Sequence, residues 1–355
     1  MSSMIKGNKI FVSVFGQSHS KAIGCVIDGL PAGIKIDNDR VNAFMKRRAP
    51  GQSRYSTTRK EADEPIVLSG LINGATCGAP LAIMIENTNT RSGDYSNLRD
   101  VPRPGHSDFS ADVKYNSFND IAGGGHFSGR LTAPLCYAGA VCMQILEQSG
   151  VKIKAHINSI GEISDAPFDP VNITNADIAS KEFPVVDDNA GEKMKELIES
   201  ARLSADSVGG IIECAVIGVK AGYGEPMFDG IENLIAKNIF GIPAVKGIEF
   251  GNGFDCTKLK GSQNNDSFIV KDGEIKTETN NHGGILGGIT SGMPIVFRTA
   301  IKPTASIGKP QKSVNLRTNS EEELIVKGRH DPCIVPRAVP VVEAVTAITM
   351  LDILL

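Results

Sequence analysis

At 355 residues, with 41% apolar and 22% charged side chains, the chain has an ordinary globular composition and is long enough to bury a large core. A net charge of −3, 5% aromatics and no tryptophan argue against a nucleic-acid-binding surface. No run approaches the roughly 18 uninterrupted apolar residues of a membrane span. The start, MSSMIKGNKIFVSVFG, lacks the cleavage pattern of a secretory signal, so a cytoplasmic protein is expected.

Seven cysteines (25, 77, 136, 142, 214, 256 and 333) are scattered without a C-x-x-C pair. That argues against a disulfide framework and a structural zinc site, and no metal is expected. The Asn-x-Ser/Thr matches at Asn172 and Asn265 are then chance.

In chain order, residues 21–36 read as a strand, a Gly-Leu-Pro-Ala-Gly turn and the entry to a second strand. A helix follows, capped by Asp37 and stopped by Pro50 and Gly51, with Lys46, Arg47 and Arg48 at its negative end. These open the basic run KRRAPGQSRYSTTRK (46–60), which on a mildly acidic protein suits a small, highly charged anion better than a polymer. Residues 66–87 read as two strands around a glycine-rich turn. A helix with apolar positions at helical spacing runs from Ser128 to Gly150, another covers 189–204, and a strand follows from 209. The C-terminal run VPVVEAVTAITMLDILL predicts an apolar helix that is either deeply buried or packed on another subunit. Strands and helices alternate without repeat or linker, giving a mixed α/β (α+β) chain read as one domain over 1–355.

Five polar loops hold most of the histidines and several of the arginines. IAGGGHFSGRLT (121–132) places three glycines before a helix, with Ser128 as N-cap and Arg130 in the first turn. Free amides and a helix dipole make an anion site there, although the Gly-Lys-Ser/Thr ending of a nucleotide loop is missing; a flexible turn is the plain alternative. FGQSHSKAIG (15–24) sets His19 between two serines, able to exchange a proton with a ligand or simply to be solvated. VPRPGHSDFS (101–110) holds Arg103, His106 and Asp108 in a proline-stiffened loop. No G-x-S-x-G elbow occurs, which argues against a serine hydrolase. Residues 279–308 pair glycines at 283–284 and 287–288 ahead of Lys302, Thr304 and Ser306, which would suit a phosphate or a ring carbonyl; a tight hairpin is the alternative. KGRHDPCIVPRAVP (327–340) clusters Arg329, His330, Asp331 and Arg337, where Arg329 and Asp331 could equally be a structural ion pair.

Together GQSHSKAIGCVIDGLP, RPGHSD, GGGHFSGRLTAPLCYAGAV and GRHDPCIVPRAVPVVEA resemble the signature stretches of the chorismate synthase family. RRAPGQSR, DSVGG, GGILGGITSG and KPTASI support the match, which runs in order from about residue 7 to 355. The resemblance implies a sandwich of helices between antiparallel sheets, assembled as a homotetramer. It implies a lyase of the shikimate pathway that removes the 3-phosphate and a ring hydrogen from 5-enolpyruvylshikimate 3-phosphate in a 1,4-anti elimination, giving chorismate for aromatic amino-acid biosynthesis. Reduced FMN would be required without net redox change, donating an electron transiently toward the allylic C–O bond and collecting the hydrogen at N5. The chain has no room for a flavin-reductase domain, so the monofunctional type is implied, with NADPH involved only indirectly through a separate reductase.

Carried over by position, the resemblance implies His106 as proton donor to the reduced flavin, His19 as the residue facing the leaving phosphate, and Asp331 as the aspartate assisting at N5. Ser18, Arg48, Arg54, Arg103 and Arg130 would grip the substrate's two carboxylates and phosphate. Flavin contacts would come from His126, Phe127, Ser128, Pro243, Ala244, Gly287, Lys302, Pro303, Thr304, Ala305, Ser306 and Arg329. The chain departs from the family with Gln17 for Glu and Ser20 for Gly. Its central loop also departs from the commoner GGGRSSARET at His126, Phe127, Gly129, Leu131 and Ala133, keeping Ser128, Arg130 and Thr132. Two other classes compete on residues alone. A phosphoryl-transfer enzyme lacks its nucleotide lysine and a clustered acidic metal site, and an anion- or RNA-binding module has too few aromatics.

Overall fold

The computed structural model describes residues 3–51, 61, 63–88, 98–173, 178–326 and 331–355. Strands β1 (Met4–Lys6), β2 (Phe11–Gly16), β3 (Ala22–Asp28), β4 (Ile66–Ser69) and β7 (Leu81–Glu86) form one antiparallel sheet, ordered β1-β2-β3-β7-β4. A small hairpin, β5 (Leu71–Ile72) with β6 (Ala75–Thr76), interrupts the expected two-strand stretch at 66–87. The second strand expected at 34–36 does not form. Ile34 and Ile36 instead bond to Thr76 and Gly74 of that hairpin, leaving one bridge between Lys35 and Ala75. The second antiparallel sheet contains β8 (Lys152–Ile160), β9 (Ile163–Ser164), β10 (Gly210–Ile217), β11 (Val245–Phe250) and β16 (Ile295–Ile301), ordered β11-β16-β10-β8-β9.

Helices α1 (Asn38–Arg48), α3 (Thr132–Glu147) and α7 (Val335–Leu354) fill the layer between the sheets. α3 packs on β2 and β3, while α7 packs on β8 and β10. The period-two pattern of β7 turns Leu81, Ile83 and Ile85 into this core. α3 and α7 cross so closely that a Cβ on Gly139 would lie 2.3 Å from Ala344 Cα. Helix α5 (Ile231–Ile239) packs on α7 and β11, and α2 (Asp108–Lys114), α4 (Asp188–Leu203) and α6 (Gly261–Asn264) are the remaining α-helices among the described residues. Three further hairpins complete the strands of the described residues: β12 (Phe268–Lys271) with β13 (Glu274–Thr277), β14 (Ile285–Leu286) with β15 (Ile289–Thr290), and β17 (Gln311–Asn315) with β18 (Ser320–Leu324).

Asp37 caps α1 as expected, its carboxylate accepting from the amides of Asp39 and Arg40. α7 takes the deeply buried of its two expected forms. Its two buried acids are both satisfied, as burial of a carboxylate demands. Glu343 pairs with Arg47 at 2.6 Å and accepts from the Ala155 amide, and Asp352 accepts the amides of Asn8, Lys9 and Ile10.

Candidate functional site

The glycine run 123–125 has a use that the sequence reading did not foresee. Gly123 and Gly124 sit at φ +60° and +83° between two histidines. A Cβ on Gly123 would lie 2.4 Å from His19 Cε1 and 2.6 Å from Ser18 Oγ; one on Gly124 would lie 3.3 Å from His106 Nε2. The absence of side chains therefore lets one backbone ribbon touch both histidines. Ser18 N–H, donating to Gly125 O at 3.0 Å, pins the His19 loop to the same ribbon.

The helix-start anion site takes a different form from the one expected. Ser128 Oγ accepts from Arg130 N–H, but it caps a short 3-10 turn over 129–131, and α3 begins only at Thr132. The loop's His126 is committed to the protein. Its Nδ1 lies 2.7 Å from Gly16 O and its Nε2 2.6 Å from Ser3 Oγ. A carbonyl only accepts, so Nδ1 carries the proton and Nε2 accepts the Ser3 hydroxyl. Phe127 is partly exposed and packs its ring 6.3 Å from that of Tyr115.

On the other face of the ribbon, Asp108 organises the His106 loop. It accepts from Arg103 N–H at 3.0 Å, Nε at 2.7 Å and Nη2 at 2.7 Å, and lies 2.6 Å from His106 Nδ1. Burial opposes the charge, but Arg103 and His106 hold the Asp108 carboxyl well below the usual range. Arg103 Nη1 reaches Ser306 Oγ at 3.0 Å, and Lys302 Nζ donates to Gly105 O at 2.7 Å. The segment Lys302–Ser306, with Pro303 and Ala305, thus docks on the His106 loop. Lys302 N–H in turn bonds to the carbonyl of Ala244, next to Pro243. Burial and the neighbouring Lys246 lower the Lys302 pKa.

The basic cluster divides. Arg47 turns to Glu343 in the core, while Arg48 joins Arg130 around one fully buried carboxylate, Asp63. Arg48 Nη1 lies 2.7 Å from Asp63 Oδ2, and Arg130 Nη1 bonds to Asp63 Oδ1. Arg48 also donates to Thr132 Oγ1 and Gly129 O, and Arg130 to Asn87 Oδ1, with Glu61 at 3.3 Å. Burial would raise the Asp63 carboxyl, but the two guanidinium groups outweigh it and hold it low. Arg337 links this cluster to Asp331: its Nη1 donates to Asp331 Oδ2 at 2.7 Å and its Nε to Arg48 O at 3.1 Å.

Among the described residues, the buried polar atoms without a partner include Ser18 Oγ, Arg130 Nη2 and Thr304 Oγ1, all on the loops gathered here. Buried donors and acceptors are almost always paired, so these mark where a polar ligand would complete the site. Arg54 and Arg329 lie outside the described residues. Gly287 lies at the tip of the β14–β15 hairpin, where a Cβ would meet nothing within 4 Å. Among the described residues no three His, Cys, Asp or Glu side chains form a metal-binding group, and no helix is long and apolar enough to cross a membrane. The seven cysteines are free, and burial pushes the Cys136 thiol up to about 12, so it acts as packing.

Glu61, Asp63, Asn87 and Thr132 carry no signal in the sequence that marks them as part of the site. Only the prolines and charges around Asp108 and Arg337 signalled those two residues in advance.

The chorismate synthase family model matches residues 10–355. Chorismate synthase of Thermococcus gammatolerans is 46% identical, covering 99% of this chain and 97% of its own length. Those of Pyrococcus abyssi and Lancefieldella parvula are each 47% identical over 99% and 98% of the chain. A crystal structure of a chorismate synthase superposes with a TM-score of 0.76 at 27% identity, covering 98% of this chain and 92% of the other. The chain belongs to the chorismate synthase family.

Proposed function

We propose that this chain eliminates phosphate and a ring hydrogen from 5-enolpyruvylshikimate 3-phosphate to form chorismate, in the site flanked by His19 and His106. Family membership makes it a carbon–oxygen lyase of the shikimate pathway, serving aromatic amino-acid biosynthesis. The observation that carries the residue assignments is the pair of histidines on one glycine ribbon, with buried, unpartnered Ser18 Oγ and Arg130 Nη2 beside it.

Arg48, Arg130 and Ser18, joined by Arg54, hold the substrate's anionic groups. In a buried site each charge-assisted hydrogen bond is strong, and Asp63 keeps both guanidinium planes oriented before substrate arrives. Arg103 is largely committed to Asp108 and Ser306, leaving it one Nη1 and one Nη2 hydrogen. His19 supplies a proton toward the departing phosphate, and His106 holds the proton on the cofactor side. General acids of this kind contribute about 10²–10⁴-fold. Asp331, held by Arg337, serves as the proton acceptor.

The residues fit reduced FMN. Thr304 Oγ1 is an unsatisfied buried polar atom, and Lys302 offers a cation beside Pro243, Ala244, Pro303, Ala305 and Ser306. Ser128, Phe127 and Arg329 complete the proposed set, and His126 contributes backbone only. When bound, reduced FMN supplies a transient electron source and an acceptor for the substrate's hydrogen. We read the chain as one cytoplasmic domain, with flavin reduced elsewhere at the expense of NADPH. A homotetramer would cover exposed apolar residues such as Ile66, Val67 and Leu68 on edge strand β4 and Phe268, Val270 and Ile275 on the β12–β13 hairpin. No nucleic acid or membrane takes part.

The test is anaerobic incubation with 5-enolpyruvylshikimate 3-phosphate and dithionite-reduced FMN, following chorismate absorbance and free phosphate. Equimolar chorismate and phosphate are expected. Folded, flavin-binding protein that yields no chorismate would overturn the assignment.

A further inference from the structure

The geometry points to Asp108 as the positioning residue that fixes the tautomer of His106 and so presents Nε2 to the reaction. This rests on the role proposed above for His106. Nδ1 has two charged neighbours, Asp108 Oδ1 at 2.6 Å and Arg103 Nη2 at 3.1 Å. A bare Nδ1 would set its lone pair against a carboxylate oxygen at the shorter distance, whereas an Nδ1–H donates to it. Arg103 Nη2 has two hydrogens: one donates to Asp108 Oδ1 at 2.7 Å, and the other makes only the longer 3.1 Å approach to the ring, against 2.6 Å from Nδ1 to the carboxylate. The proton therefore sits on Nδ1, and Nε2 is the nitrogen that faces Gly124. In the neutral ring Nε2 is a bare acceptor. Once protonated it is a donor.

Arg103 has a complementary part. Its three contacts keep Asp108 ionised, so Asp108 orients the ring without taking its proton. Among the described residues Lys302 also docks on this loop, on Gly105 O, and His19 lies across the glycine ribbon.

The experiment compares the full-length protein with Asp108→Asn by solid-state ¹⁵N NMR of histidine-labelled material, with His106 assigned by the signal lost in His106→Gln. In D108N the amide oxygen is drawn to the Oδ2 position, where Arg103 N and Nε both donate. The NH2 then faces His106 Nδ1, which becomes an acceptor, and the ring switches to the Nε2–H form. The expected result is an Nδ1–H ring in the wild type and an Nε2–H ring in D108N. The accompanying kcat should fall about 10²-fold with KM for 5-enolpyruvylshikimate 3-phosphate changed less than threefold. An Nε2–H ring in the wild type would overturn the inference without any variant. So would an unchanged tautomer in folded D108N, or a kcat within twofold of wild type after the tautomer had switched. Chorismate synthesis by the wild type is read separately, so failure of the proposed reaction is distinguishable from failure of the Asp108 assignment.

Discussion

Asp63→Ala removes the carboxylate that neutralises Arg48 and Arg130, both of which are nearly inaccessible to solvent. Taking away one partner of a buried ion pair costs about 3–5 kcal/mol, because the remaining charge stays desolvated. Arg48 keeps Thr132 and Gly129 O, and Arg130 keeps Asn87, so the lower part of that range is expected. With an unfolding entropy of about 2.1 cal/mol/K per residue over the 355-residue chain, 3 kcal/mol corresponds to a Tm about 4 °C lower. Inorganic phosphate should partly restore D63A, since an anion can take the empty place. At 100 times its Kd a ligand stabilises by about 2.7 kcal/mol. The wild type, with Asp63 in place, should respond less. Acid adds a second signature. Asp63 has a lowered pKa when folded, so its contribution is present above the unfolded value of 3.8 and fades as pH falls through the lower folded value. Thermal melts with and without phosphate, at pH 7 and pH 3.5, test all of this. A D63A melt within about 1 °C of wild type, insensitive to phosphate, would refute the reasoning.

Gly123→Ala places a methyl group against His19 and at a φ that L-residues avoid, so His19 must shift. Misplacement of this size costs roughly 10²-fold in kcat with the fold retained, checked by turnover alongside circular dichroism. His156 is buried between Asp165 and Glu213, each 2.9 Å away. Burial lowers its pKa, but the two carboxylates outweigh burial and raise it. A raised histidine stabilises fully below its unfolded value of 6.5 and loses that contribution as pH rises through the folded value, so wild-type stability should fall from neutral into alkaline pH, and His156→Asn should lose this component of the slope in urea titrations. Arg337→Ala should lower kcat at least about tenfold through loss of its hold on Asp331, measured by steady-state kinetics under reduced flavin.

What the sequence made legible was local. Asp37 capping α1, the span of α4 and the apolar α7 follow from caps and periodicity within one segment. The sheet order, with β7 between β3 and β4, depends on non-local pairing that short strands do not encode individually. The site divides in the same way. The His19 and His106 loops and the glycine run stood out by composition, but the purpose of the glycines emerged only when the fold laid them between the histidines. Nothing near Asp63 marks it as the counter-ion of both Arg48 and Arg130, which lie 15 and 67 residues away. His126 looked like a ligand contact until the fold brought it to Ser3, 123 residues distant. In each case the decisive contact is long-range.

The most direct measurement is a crystal structure of the protein with 5-enolpyruvylshikimate 3-phosphate and FMN bound together. The account predicts the substrate phosphate on the His19 side of the glycine ribbon, with Ser18 Oγ and Arg130 Nη2 donating to substrate oxygens and His106 Nε2 directed at the flavin. Substrate bound away from the ribbon, with Ser18 Oγ and Arg130 Nη2 still unpartnered, would contradict it.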